Sequence, residues 1–186
     1  MASFNDIWTR LRQSGSPLPY LLIDSAGIQG GEERIPKHIF SRLECLFSGD
    51  LAVELADVGP YLGLLGSHDS DVAHVVEDLL TRQIGILVAL KGMTPDGGEP
   101  TFSEVHRHFR KFNIVYGPEN NPLFFRYYDP RVMNLMCHAL SKAQFAKLSE
   151  PCASIVICSD GQWLDLMHTI SPHATTAYAP NLAGSK

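Results

Sequence analysis

The sequence predicts an α/β chain of the mixed α+β kind: a single mixed β-sheet flanked by helices, with a short helical N-terminus and a loosely ordered C-terminal tail. Three observations lead there. The apolar runs in "YLLIDSAG", "VGPYLGLLG" and "IGILVAL" have the length of strands. The segments between them repeat their apolar residues at helical spacing. Two turn-rich stretches, "PENNP" and "SDG", sit between apolar runs as hairpin turns do.

Taken in order, Phe4, Ile7, Trp8 and Leu11 share one helix face, and "SGSPLP" ends that helix. "YLLIDSAG" is a strand closed by Asp24 and a glycine turn. Ile35, Ile39, Leu43, Leu46 and Phe47 predict a helix starting near Pro36, a residue suited to a first turn. "VGPYLGLLG" is a second strand, in which Pro60 suggests an edge or a bulge. Val72, Val75, Val76, Leu79 and Leu80 form the inner face of a helix capped by an Asp or Ser. "IGILVAL" reads as a strand buried on both faces.

After the loop "GMTPDGGEP", Thr101 and Glu104 stand at capping-box spacing and open a helix that buries Phe102, Val105, Phe109 and Phe112. "NIVYG" and "LFFRYY" pair across "PENNP". "DPRVMNLMCHAL" is a helix capped by Asp129 with Pro130 at its first position. "SKAQFAKL" is a short helix, and "ASIVICSDGQWLDL" is a hairpin turning at Ser159 to Gly161. From Ser171 the composition is that of a loose tail. The organisation is thus an amphipathic helix over 1–16, one domain over 17–168 and a tail over 169–186.

Composition narrows the function. The chain has 186 residues and a net charge of −5, without the basic footprint of a general binder of nucleic acid or anionic membrane. Cys45, Cys137, Cys152 and Cys158 include no C-x-x-C pair, which suits reduced thiols and a cytoplasmic protein. "MASFNDIWTRLRQSG" lacks a basic stretch followed by an apolar core, so no secretory signal is expected, and "IGILVAL" is too short to span a bilayer.

The motifs of chemistry are sparse. Ser25 follows a strand but lacks the glycine-flanked elbow of a hydrolase, and reads as a turn serine. His74 with Glu77, and His106 with His108, miss metal-ligand spacing, so no metal or cofactor is expected. "GIQGGEE" has no Walker lysine, and its two acids oppose a phosphate. Asp24 and Asp129 each close a strand and meet only if those strands are neighbours. Arg107, Arg110 and Lys111 crowd the helix of His106 and His108. A solvated face accounts for them, yet Arg107 and Lys111, four apart, repel by a few tenths of a kcal/mol. An acidic partner is the other explanation.

"FFRYYDPRV" raises the sharpest question, because Arg126, Asp129 and Arg131 interrupt an aromatic run. Strand alternation sends Leu123, Phe125 and Tyr127 one way, and Phe124, Arg126 and Tyr128 the other. Arg126 then needs a carboxylate or carbonyl partner. Arg131 sits in a helix's first turn, where the macrodipole disfavours a cation by about 0.3–1 kcal/mol. Asp24, Asp129 or an acid on a partner would offset that.

"YLLIDSA", "VGPYLGLL", "HFRKFNIVYG" and "LFFRYYDPRVMNLM", in this order, resemble the type VI secretion effector chaperones, or adaptors, that carry the domain of unknown function 4123. The last block is the most specific, and the resemblance spans about Tyr20 to Leu140. The family pattern marks Asp24, Gly59, Pro60, Arg110, Arg126, Tyr128, Asp129, Pro130 and Arg131. Phe109 stands where the family more often has leucine, and many members continue into a helical lobe where here little follows Leu140.

The resemblance implies a cytoplasmic, non-catalytic adaptor. It would hold a secreted effector, often by its N-terminal region, and help load it onto the spike protein of the secretion machine. Two other readings stand beside it: a small α/β hydrolase or phosphotransferase using Asp24 and Asp129, and an immunity protein that neutralises a toxin.

Overall fold

The computed structural model describes residues 3–12, 17–92, 98–117 and 119–169. Alternation along the strands organises everything else. In β1 (Tyr20–Asp24) every residue is buried, because successive side chains point to opposite faces and both faces are covered. Tyr20 and Leu22 join one apolar cluster, while Leu21 and Ile23 join the other. β4 (Gly85–Leu90) and β7 (Cys152–Ser159) divide likewise, with Ile86, Val88, Ile155 and Ile157 on the first side and Leu87, Val156 and Cys158 on the second.

The main sheet has six strands in the order β2-β3-β1-β4-β7-β8, with β2 at Phe40–Cys45, β3 at Pro60–Leu65 and β8 at Gln162–Asp165. Helices α4 (Phe102–Arg110), α5 (Pro130–Ala139) and α6 (Lys142–Leu148) supply the first cluster. α1 (Phe4–Arg12) and α3 (Ser70–Thr81) supply the second. Two short helices, α2 (Asp50–Glu54) and α7 (Leu166–Thr169), complete the set. The fold is thus mixed α+β, three layers deep.

Caps set the helix starts. The Asp69 carboxylate accepts from the Val72 amide at 2.9 Å, and Thr101 with Glu104, like Ser141 with Gln144, forms a reciprocal capping box. The Asp129 side chain caps α5, with Pro130 at the first turn.

Several expectations need correction. Every pairing in the six-stranded sheet is antiparallel rather than of mixed direction. The pair β5 (Ile114–Tyr116) and β6 (Pro122–Phe124) stands apart as a second, two-stranded sheet. The helix expected from Pro36 to Phe47 is instead a single 3-10 turn, Lys37–Ile39, followed by β2. There pairing with β3 overrides a helical spacing, as Leu43 meets Gly63 and Glu44 meets Leu62. Pro60 opens an interior strand opposite Asp24, a position where a missing amide is tolerated.

The strand expected over "LFFRYY" ends at Phe124. Beyond it Phe125, Tyr127 and Tyr128 are all buried while Leu123 is exposed, so the alternation expected there fails on both sides. Tyr127 is drawn inward because its hydroxyl donates to the Phe109 carbonyl at 2.9 Å. Most of "GMTPDGGEP" and the tail beyond Thr169 lie outside the described residues.

α1 is part of this core. Trp8 is 2% exposed, and its indole donates to the His68 carbonyl at 3.3 Å. Trp8→Ala is expected to cost about 3–5 kcal/mol, measured by urea denaturation. An unchanged midpoint would make residues 1–16 a separable appendage.

Candidate functional site

The site begins where β1 ends. Asp24 closes a central strand, its amide held by the Ile84 carbonyl at 2.8 Å. Its side chain is only 2% exposed. A carboxylate so placed demands a cation, and the Arg126 guanidinium supplies it directly. The other oxygen, Oδ1, has no hydrogen-bond partner among the described residues, so Arg126 carries the compensation.

Arg126 also lies 3.6 Å from Asp129. Asp129 is buried at the head of α5 and accepts from the Arg131 amide at 3.0 Å, Nε at 2.9 Å and Nη2 at 2.8 Å. The fork-on-carboxylate geometry explains why a cation is tolerated in a helix's first turn. Two acids and two bases thus form one chain, Asp24–Arg126–Asp129–Arg131. The acids are inside, and the guanidiniums are 44% and 64% exposed.

Titration follows from this arrangement. Burial pushes the Asp129 carboxyl up, but hydrogen bonds from Arg131 and the charges of Arg131 and Arg126 outweigh it and leave it below its ordinary value. Burial, then the neighbouring Asp24 charge, pushes the Tyr128 hydroxyl up to about 12. Both carboxylates are engaged by guanidiniums.

Neighbouring turns frame the corner. Ser25 is buried, and its hydroxyl donates to the Gly59 carbonyl at 2.7 Å. Gly59 approaches so closely that a Cβ there would stand 2.9 Å from the Leu55 carbonyl oxygen. Ser25, Gly59 and Pro60 are therefore fold-framing.

The basic helix is a different place with a different chemistry. His106 Nε2–H donates to the Cys45 carbonyl at 2.8 Å and His108 Nε2–H to the Leu148 carbonyl at 2.9 Å. The two rings point to different neighbours, and no metal-holding cluster of His, Cys, Asp or Glu occurs among the described residues. Arg107, Arg110 and Lys111 are exposed, with no ion pair to any of them among the described residues.

Sequence reasoning missed the apolar surface beside that helix. Ile114, Tyr116, Leu123 and Phe124 on the β5–β6 hairpin are exposed. Phe47 extends the surface, meeting Phe124 edge-on at 5.9 Å between ring centroids. Alternation alone could not reveal this, because an isolated hairpin has no second layer to cover its outer face. The signal was the turn-rich "PENNP" next to strands of only three residues.

The ion-pair chain makes two predictions. Arg126→Ala strands a buried carboxylate and is expected to cost about 2–4 kcal/mol, whereas Asp24→Asn in that background restores most of it, read by chemical denaturation. Additive losses would mean that the two do not act as a pair. Asp129, held below its ordinary value by Arg131 and Arg126, contributes stability that is fully present above the ordinary carboxylate pKa and is lost as pH falls through its lower folded value. The acid limb of stability, followed from about pH 6 to about pH 2, is therefore shallower in Asp129→Asn.

No curated protein and no solved structure matches the chain. Residues 19–147 match the family described as domain of unknown function (DUF4123), which includes the whole ion-pair chain, the basic helix and the hairpin. The chain belongs to the DUF4123 family.

Proposed function

We propose that this chain is a non-catalytic adaptor of the type VI secretion machinery, working in the cytoplasm. It binds a secreted effector and promotes loading of that effector onto the spike protein. The observation that carries the reading is the exposed apolar hairpin, with Ile114, Tyr116, Leu123 and Phe124 open to solvent beside Phe47. A cluster of large apolar side chains on one surface element is the usual mark of a protein contact. Arginine and aromatic residues are both enriched at interfaces, and Arg110, Arg126 and Arg131, in the segments flanking the hairpin, are exposed as well.

Membership of the DUF4123 family supports the reading through the resemblance of "LFFRYYDPRVMNLM" to effector adaptors. No helix among the described residues is long and apolar enough to cross a membrane. In this reading the ion-pair chain holds the corner rigid under the hairpin, and the hairpin and α4 supply the contact.

The test is co-expression with the effector encoded beside this gene, followed by co-purification and a delivery assay. The effector is expected to lose solubility and delivery without the chain. Phe124→Glu is expected to reduce co-purification about tenfold or more, a loss of at least ~1.4 kcal/mol, while leaving thermal unfolding unchanged. An effector equally soluble and equally delivered without this chain would overturn the proposal. A deletion that poisons the cell, rather than silencing secretion, would point to immunity instead.

A further inference from the structure

The hairpin offers backbone as well as side chains. The Phe125 amide donates to the Asn113 carbonyl at 2.9 Å, and the Gly117 amide to the Asn121 carbonyl at 2.9 Å. With Val115 opposite Leu123, this register makes 113/125, 115/123 and 117/121 the bonded pairs. The backbone groups of Ile114 and Tyr116 on β5, and of Pro122 and Phe124 on β6, therefore point outward. Pro122 has no N–H to offer, so the β6 edge lacks a donor. The β5 edge keeps both of its own, and no further strand pairs with it among the described residues.

Edges of this kind are normally guarded. The β2 edge of the main sheet carries Arg42 and Glu44, joined at 2.6 Å, and a register irregularity between Phe40 and Arg42. β5 has no charge, no proline and no bulge. The outer face above it, from Ile114 and Tyr116 across to Phe124, is apolar and exposed. Where α4 feeds into β5, Arg107, Arg110 and Lys111 gather on a molecule whose net charge is −5.

We infer that β5 accepts an extended segment of another protein as an added antiparallel strand, one that alternates apolar side chains and carries acidic residues beside that run. Main-chain hydrogen bonds to Ile114 and Tyr116 supply affinity, and the hairpin's apolar face selects alternate side chains. The exposed cations Arg107, Arg110 and Lys111 select the acidic flank and favour its approach. The proposal rests on the adaptor reading and names the kind of segment its partner presents.

The test uses the full chain and a short fluorescent peptide of alternating valine and threonine flanked by glutamates, with a lysine-flanked twin. Anisotropy is expected to show binding of the glutamate peptide and about tenfold weaker binding of the twin. Arg110→Glu combined with Lys111→Glu is expected to erase that preference. Amide hydrogen exchange at Ile114 and Tyr116 is expected to slow several-fold on binding. Tyr116→Pro, which deletes one outward donor, is expected to lose the peptide while retaining its unfolding temperature.

Binding without protection of those two amides overturns strand addition. Equal affinity for the two peptides overturns the acidic preference. Self-association through this edge that excludes the peptide assigns it to a second copy and also overturns the proposal. An effector that co-purifies with Tyr116→Pro but not with Phe124→Glu overturns strand addition alone. An effector indifferent to the whole chain removes the adaptor reading itself.

Discussion

Asp24 ends a central strand with its carboxylate shut away from water, and the cation that neutralises it comes from Arg126, 102 residues later in the chain. Few contacts constrain this fold more. A buried charge without a partner is worth several kcal/mol against folding, so the segment after β6 must return to the mouth of the sheet. That return explains why the strand stops at Phe124, and why Tyr127 turns inward onto the Phe109 carbonyl. It also places Asp129 to cap α5 while accepting Arg131. One electrostatic demand thereby sets a turn, a cap and the direction of a helix.

The same return leaves the hairpin standing outside the three layers. β5 and β6 hang from α4 and from the corner, with Val115 pointing into the core and Ile114, Tyr116 and Phe124 on the opposite face. The pairing of a rigid, charge-locked base with an uncovered apolar edge is a sound physical basis for recognition. In the proposed adaptor the base would lose little conformational freedom on binding, and the edge would supply area and backbone donors. The arginine heads are exposed at 44% and 64% while paired to their carboxylates, and in the proposed adaptor they would stand at the rim of the contact.

Much of the fold was legible in the sequence. "IGILVAL" is buried on both faces because helices cover both sides of the sheet, and its unbroken apolar run required that cover. Thr101 with Glu104, and Asp129 with Pro130, announced helix starts that the structure contains, because capping is a contact between residues three or fewer apart. β2 was hidden, because Ile35, Ile39 and Leu43 fit a helical period as well as a strand. Only the partner strand β3 decides between them.

What the sequence determined by itself was local: element identity where periodicity and caps agree, an apolar total large enough for two core clusters, and Arg126's need for a carboxylate or carbonyl partner. What only the tertiary structure decided was which acid each arginine found, the antiparallel order of the sheet, and the exposure of Ile114, Tyr116 and Phe124. The physical reason is the range of the forces. Capping and periodicity act within a turn or two of chain, whereas charge pairing, strand order and solvent cover depend on which distant segment arrives beside each residue.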